Sequence, residues 1–167
     1  MYTTILLAAA LQDWERYSAH ALAAREVAVT LAKGTCNHLH VLSVYDYPLL
    51  NIGYLPAEIA SRQQDALLQR IDTLMVHKMD TYVAPLREGG VETTPILRTG
   101  NPRDVIVQVA TAIKADLLIL GSHSKRGLLD IALGGTAQQV SQSAPCLVVL
   151  VSPQREGGGK QSGEDTR

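Results

Sequence analysis

Apolar residues along this chain follow two rhythms. Four short runs are continuous: TILLAAA (4–10), HLHVLSVY (38–45), ADLLILG (115–121) and CLVVLV (146–151). Their length and their content of Leu and β-branched residues predict strands. A fifth run, VETTPILRT (91–99), alternates only in part, and Pro95 removes a ladder donor, which predicts an edge strand. Between these runs the spacing turns helical. Residues 14–33 are rich in Ala, Leu, Arg and Glu and end at Gly34. Residues 57–87 set Leu67, Ile71, Leu74, Met75, Tyr82 and Leu86 on one stripe. In NPRDVIVQVATAIK, Asn101 is placed as N-cap, Pro102 at the first helical position and Asp104 in the first turn, with Val105, Ile106, Val109 and Ile113 as the buried face. A last helix is expected from Gly134–Gly135 to about Ser143, before Pro145 opens the final strand.

Strict alternation of strand and helix predicts an α/β fold: an open five-stranded parallel sheet, doubly wound, with helices on both faces and right-handed crossovers. At 167 residues one domain suffices, expected at 1–151. The tail SPQREGGGKQSGEDTR (152–167) is apolar-poor and Gly-rich, and is expected to be a disordered extension. Apolar residues at 46% and charged residues at 19% are the balance of a folded domain. A net charge of −1 argues against nucleic acid, since that affinity comes from clustered Lys and Arg. Six Tyr, one Trp and no Phe make a base-stacking platform unexpected too. TTILLAAAL near the N-terminus is too short for a bilayer and lacks a basic flank, so no membrane partner and a cytoplasmic location are expected. Cys36 and Cys146 lack metal-ligand spacing and are expected to act as small hydrophobes.

The candidate chemistry lies in GSHSKRGLLDIALGGT (121–136). In an open parallel sheet, ligands bind beyond the carboxyl ends of strands, and Gly121 marks such an end. The first amides of the following helix have no internal partner, and the helix dipole adds positive potential, so an anion is favoured there. Glycine removes the Cβ that would hold a phosphate off the backbone. Thr136 offers a hydroxyl, and Lys125 and Arg126 offer positive charge. Spacing excludes a Walker loop, and the AAALQD that follows the first strand excludes a dinucleotide fingerprint.

ILLAAA, GNPRDVIVQVATAIKADLLILGSHSKRGL and LGGTAQQVSQSAPCLVVLV together resemble a universal stress protein domain, over nearly all of residues 3–151. The family pattern is Gly, two residues, Gly, nine residues, Gly, then Ser or Thr. Gly121 and Gly134 match it, whereas Ser124 replaces the second Gly and Gly135 replaces the Ser/Thr. The resemblance implies a sheet order of 3-2-1-4-5 and an ATP site, with or without Mg2+. In that site Gly121 lies near the ribose, Gly134 and Gly135 receive the phosphates, and His123, Ser124 and Thr136 are neighbours. Val44 takes the position whose backbone faces adenine. Ala10 stands where nucleotide-binding members carry Asp, and Asp13 compensates only if its loop folds back. A final strand at the sheet edge implies a homodimer paired through it, because an unpaired edge invites aggregation. A regulatory protein partner, unidentified, would read the ligand state.

Other residues carry less. His38 and His40 share a strand face but have no third ligand at sensible spacing. Asp116 begins a strand and is expected to be structural; Trp14 is expected to pack the first loop onto a helix. No Gly-x-Ser-x-Gly elbow occurs, so no catalytic residue is named, and at most slow ATP hydrolysis is expected. Two alternatives remain open: an interaction module of the same fold without nucleotide, and an adenylating enzyme.

Overall fold

A computed structural model describes residues 2–11, 17–36, 38–46, 57–122, 125–126, 131–132 and 134–153. Along the chain run β1 (Ile5–Ala8), α1 (Ala19–Lys33), β2 (His38–Tyr45), α2 (Ala57–Glu88), β3 (Glu92–Thr99), α3 (Pro102–Ala112) and β4 (Leu117–Gly121). Then come two short strands, β5 (Lys125–Arg126) and β6 (Ile131–Ala132), followed by α4 (Gly135–Ser143) and β7 (Leu147–Val151). The main sheet is parallel throughout, in the order β3-β2-β1-β4-β7, which is the expected 3-2-1-4-5 with β7 as its fifth strand. The antiparallel pair β5–β6 sits inside what the sequence presents as a single loop; two-residue strands carry too little pattern to be seen.

Alternation along the strands divides the core in two. Ile5, Leu7, Leu39, Val41, Leu117 and Ile119 face α1 and α2. Leu6, Ala8, Leu42, Leu118 and Leu120 face α3 and α4. Helix α1 buries Ala21, Ala24, Ala28 and Ala32, a stripe at helical spacing whose small side chains let the helix lie close on the sheet. It begins at Ala19 rather than near residue 14, because Ser18 caps it: the Ser18 hydroxyl accepts from the Ala21 amide at 3.1 Å. Residues 12–16, and with them Asp13 and Trp14, lie outside the described residues. In α2 the buried stripe runs through Ile71, Met75, Met79, Tyr82, Val83 and Leu86, with Leu67 packed at its margin. Leu74 is only half-buried, since the stripe passes beside it.

The cap of α3 is as expected: Asn101 Oδ1 accepts from the Arg103 amide at 3.0 Å, with Pro102 at the helix start. Its face is carried by Ile106 and Ala110, with Val105, Val109 and Ile113 packed against them. Strand β3, containing Pro95, pairs with β2 alone among the described residues and lies at the edge of the sheet. Of the expected tail, Ser152 is tied in by a 3.3 Å bond from its hydroxyl to the Ser122 carbonyl, and 154–167 lie outside the described residues.

Candidate functional site

Strand β1 leads outward to β2 on one side, while β4 lies against it on the other. The direction of winding therefore reverses between β1 and β4, and a crevice opens beyond their carboxyl ends. A cavity of about 270 Å³ occupies this position. Ala8, Ala9 and Ala10 form one wall, where β1 ends, and Leu120 and Gly121 form another at the end of β4. Leu42 and Val44 of β2 make the floor apolar. Three helix starts complete it: Ser18, His20 and Ala21 from α1, Pro102 and Ile106 from α3, and Thr136 and Ala137 from α4.

Of the residues expected here, Ala10, Val44, Gly121 and Thr136 do line the cavity. Gly134 and Gly135 immediately precede Thr136 but do not border the cavity themselves. His123 and Ser124 lie outside the described residues, as do the side chains of Lys125 and Arg126. Gly134 is the N-cap of α4, with no side-chain hydrogen bond, and its carbonyl accepts from the Gln138 amide at 2.9 Å. Among the described residues, the amides of Gly135, Thr136 and Ala137 have no partner.

At Gly121 and Gly135 a side chain would also meet close neighbours. A Cβ on Gly121 would lie 2.8 Å from both the Cβ and the carbonyl oxygen of His20. Glycine here lets the first turn of α1 press against the end of β4, which closes the cavity on that side. A Cβ on Gly135 would lie 2.7 Å from Nη2 of Arg103, so the guanidinium rests in the space a side chain would fill.

The α1 side of the cavity is held from behind by α2. Tyr82, fully buried, donates to the Ala21 carbonyl at 2.6 Å, and Arg25 donates to the Tyr82 carbonyl at 3.1 Å. Burial raises the Tyr82 pKa well above the ordinary phenol value, so the ring stays neutral and keeps its donor. Lys78 Nζ donates to the Leu11 carbonyl at 3.1 Å, anchoring the chain just after Ala10. Sequence reading missed this part of the site, because it placed the start of α1 several residues too early; a Ser before an Ala-rich helix was the available signal.

The other noted side chains lie away from the crevice. His38 and His40 do share a face, with ring centroids 4.9 Å apart, at the opposite end of β2. His38 Nε2 hydrogen-bonds Thr94 Oγ1 at 2.9 Å and its Nδ1 lies 3.5 Å from Glu92. Burial, then the neighbouring His38, lowers the pKa of His40 below 6.5. Among the described residues no three His, Cys, Asp or Glu side chains converge as metal ligands. Asp116 ties the starts of β1 and β4: its carboxylate accepts from the Thr3 amide, the Thr3 hydroxyl and the Thr4 amide at 2.9, 2.7 and 3.0 Å. Cys36 and Cys146 are both free thiols, and burial pushes the pKa of Cys146 up, away from a reactive thiolate. Among the described residues no helix is long and apolar enough to cross a membrane.

The chain matches the model of the universal stress protein family over residues 1–152. It belongs to that family. One relative, a universal stress protein of Methanocaldococcus jannaschii, is 31% identical over 81% of this chain and 77% of its own length. Among solved structures, a universal stress protein in complex with cAMP shares 18% identity at a TM-score of 0.61, covering 92% of this chain and 98% of that one. A family member from Arabidopsis thaliana with AMP bound shares 20% identity at a TM-score of 0.60, covering 92% and 93%. These two universal stress proteins share the fold described above and carry adenine nucleotides.

Proposed function

We propose that this universal stress protein binds an adenine nucleotide, ATP by preference, in the crevice between β1 and β4. The observation that carries the reading is the 270 Å³ cavity at the switch point, bordered by a helix start whose first amides have no partner among the described residues. Small-molecule sites usually run from roughly 300 to 1,000 Å³, so this cavity suits a base and sugar, with the phosphates left at its rim. Apolar Ala8, Leu42, Val44 and Leu120 would pack the base, and Thr136 with the α4 amides would meet phosphate oxygens. Gly121 would adjoin the ribose. That universal stress proteins are known with cAMP and with AMP supports the same ligand class here.

Ala10 offers no side-chain acceptor, so base recognition would rest on shape and backbone groups. Any Mg2+ would arrive with the phosphates rather than be held by a carboxylate set. The nucleotide would act as a signal, setting a conformation or dimer state for a protein partner in the cytoplasm. The dimer would pair β7, which pairs only with β4 among the described residues and whose Leu147 is 54% exposed. One purification tests both points. Denaturing the protein should release adenine nucleotide absorbing near 260 nm, and light scattering should give twice the 18.0 kDa chain mass. Protein free of nucleotide that also fails to take up added ATP would instead favour the ligand-free interaction module, the reading that Ala10 supports.

A further inference from the structure

We propose that Arg103 is the phosphate-gripping side chain of this crevice, a role that rests on the nucleotide reading above. The Arg103 guanidinium lies against Gly135 at the start of α4, outside the cavity lining but next in sequence to Pro102, as Gly135 is to Thr136, and both of those residues line the cavity. Its backbone is fixed: the amide is held by Asn101 Oδ1 at 3.0 Å, so the side chain leaves α3 from a capped first turn. The side chain itself is exposed, and among the described residues no carboxylate pairs with it. A guanidinium is always charged and presents a rigid fork of donors that matches phosphate oxygens two at a time. Unpaired by the first-turn Asp104 and close to the start of α4, it is placed to meet an anion arriving at that helix.

An independent observation places polar demand at the same end of the sheet. Ser122 directly follows Gly121, and strand alternation puts it on the side of Leu120, which lines the cavity. Ser122 is 1% exposed, and among the described residues its hydroxyl has no hydrogen-bond partner. Buried hydroxyls are nearly always paired, so an unpaired one directly after the cavity-lining Gly121 leaves polar demand at that strand end, although Ser122 itself does not line the cavity.

The same geometry gives Gly135 a meaning. Any side chain there would begin 2.7 Å from the guanidinium and displace it. Gly135 and Arg103 thus form a matched pair, in which the hydroxyl expected of the family pattern is given up and a cation occupies its space. The consequence is selectivity for phosphorylated over unphosphorylated adenosine, set by a residue of α3 rather than by the glycine-bearing loop.

The test is calorimetric titration of ATP, AMP and adenosine into the full chain and into its Arg103→Gln, Arg103→Lys and Gly135→Ser variants. Thermal unfolding of each variant should match the wild type, because Arg103 is exposed. For Arg103→Gln, ATP affinity should fall about tenfold or more, in line with the loss of a charge-assisted contact, while adenosine affinity stays within about twofold. Arg103→Lys should recover part of the loss, and Gly135→Ser should weaken ATP without weakening adenosine. Wild-type ATP affinity should also fall more steeply with salt than that of Arg103→Gln. Equal losses for ATP and adenosine, or no loss for either, would overturn the assignment while leaving nucleotide binding intact. A wild-type chain that binds neither nucleotide nor adenosine would remove the nucleotide reading itself, and Arg103 with it.

Discussion

Asp116 shows how much one exposed side chain can organise. Its carboxylate gathers two amides and a hydroxyl from Thr3 and Thr4, and its own amide donates to the Thr4 carbonyl at 2.9 Å, so it fixes the register where β1 and β4 begin. The Thr3 hydroxyl, then the Thr3 and Thr4 amides, hold the carboxyl below its ordinary value of 3.8. A depressed carboxylate pKa stabilises the fold above the unfolded value and ceases to do so as pH falls from 3.8 through the lower folded value. Asp116→Asn should therefore lower stability in urea unfolding at pH 7, with the gap to wild type closing as the pH falls below 3.8. Equal stability of the two proteins at neutral pH would refute this role. Sequence reading placed Asp116 at a strand end but had no access to its three donors, which come from residues more than a hundred positions away. Gly121 was legible as a strand-end glycine, yet its reason was only half visible. The contact with His20 is a tertiary fact that no local pattern contains.

At the scale of elements, the crevice is a meeting of helix starts, and those were unevenly legible. Asn101-Pro102 announced α3 to the residue, since cap, proline and first-turn acid agree. The α4 start at Gly134–Gly135 was equally clear. The α1 start was not, because residues 14–20 mix aromatic, polar and apolar types without a period, and only Ser18 marks the boundary. That cap bears on the site as well as the helix, for Ser18 lines the cavity and fixes the turn that carries His20 against Gly121. Replacing it, Ser18→Ala should cost about 1 kcal/mol in chemical unfolding, the usual effect of losing an N-cap. A variant as stable as wild type would mean that packing of the alanine stripe alone positions α1. The β5–β6 pair went unseen for the opposite reason: its strands are too short to have a rhythm.

For the whole molecule, five strands and four helices were readable because each agrees with its neighbours in period, punctuation and order. Continuous apolar runs imply a sheet covered on both faces, and the two clusters bear this out, with α1 and α2 on one side and α3 and α4 on the other. The sheet order itself was not in the pattern; alternation permits several orders, and family resemblance selected this one. Once the order is set, the crevice follows, since winding reverses between β1 and β4 whatever residues stand there. What those residues are then sets the character of the crevice, and here small apolar walls give way to α4 amides that have no partner among the described residues. Ala10 is exposed yet lines this cavity, so a large side chain at that position would fill the space without disturbing the core. The most direct measurement is therefore a titration of ATP into the full chain and its Ala10→Trp variant, with thermal unfolding of both. Binding by the wild type and a loss of about tenfold or more in an equally stable variant is the expected result, because the indole would take the volume of the base. ATP binding of undiminished strength in Ala10→Trp, or none in the wild type, would contradict the placement of a nucleotide in this crevice.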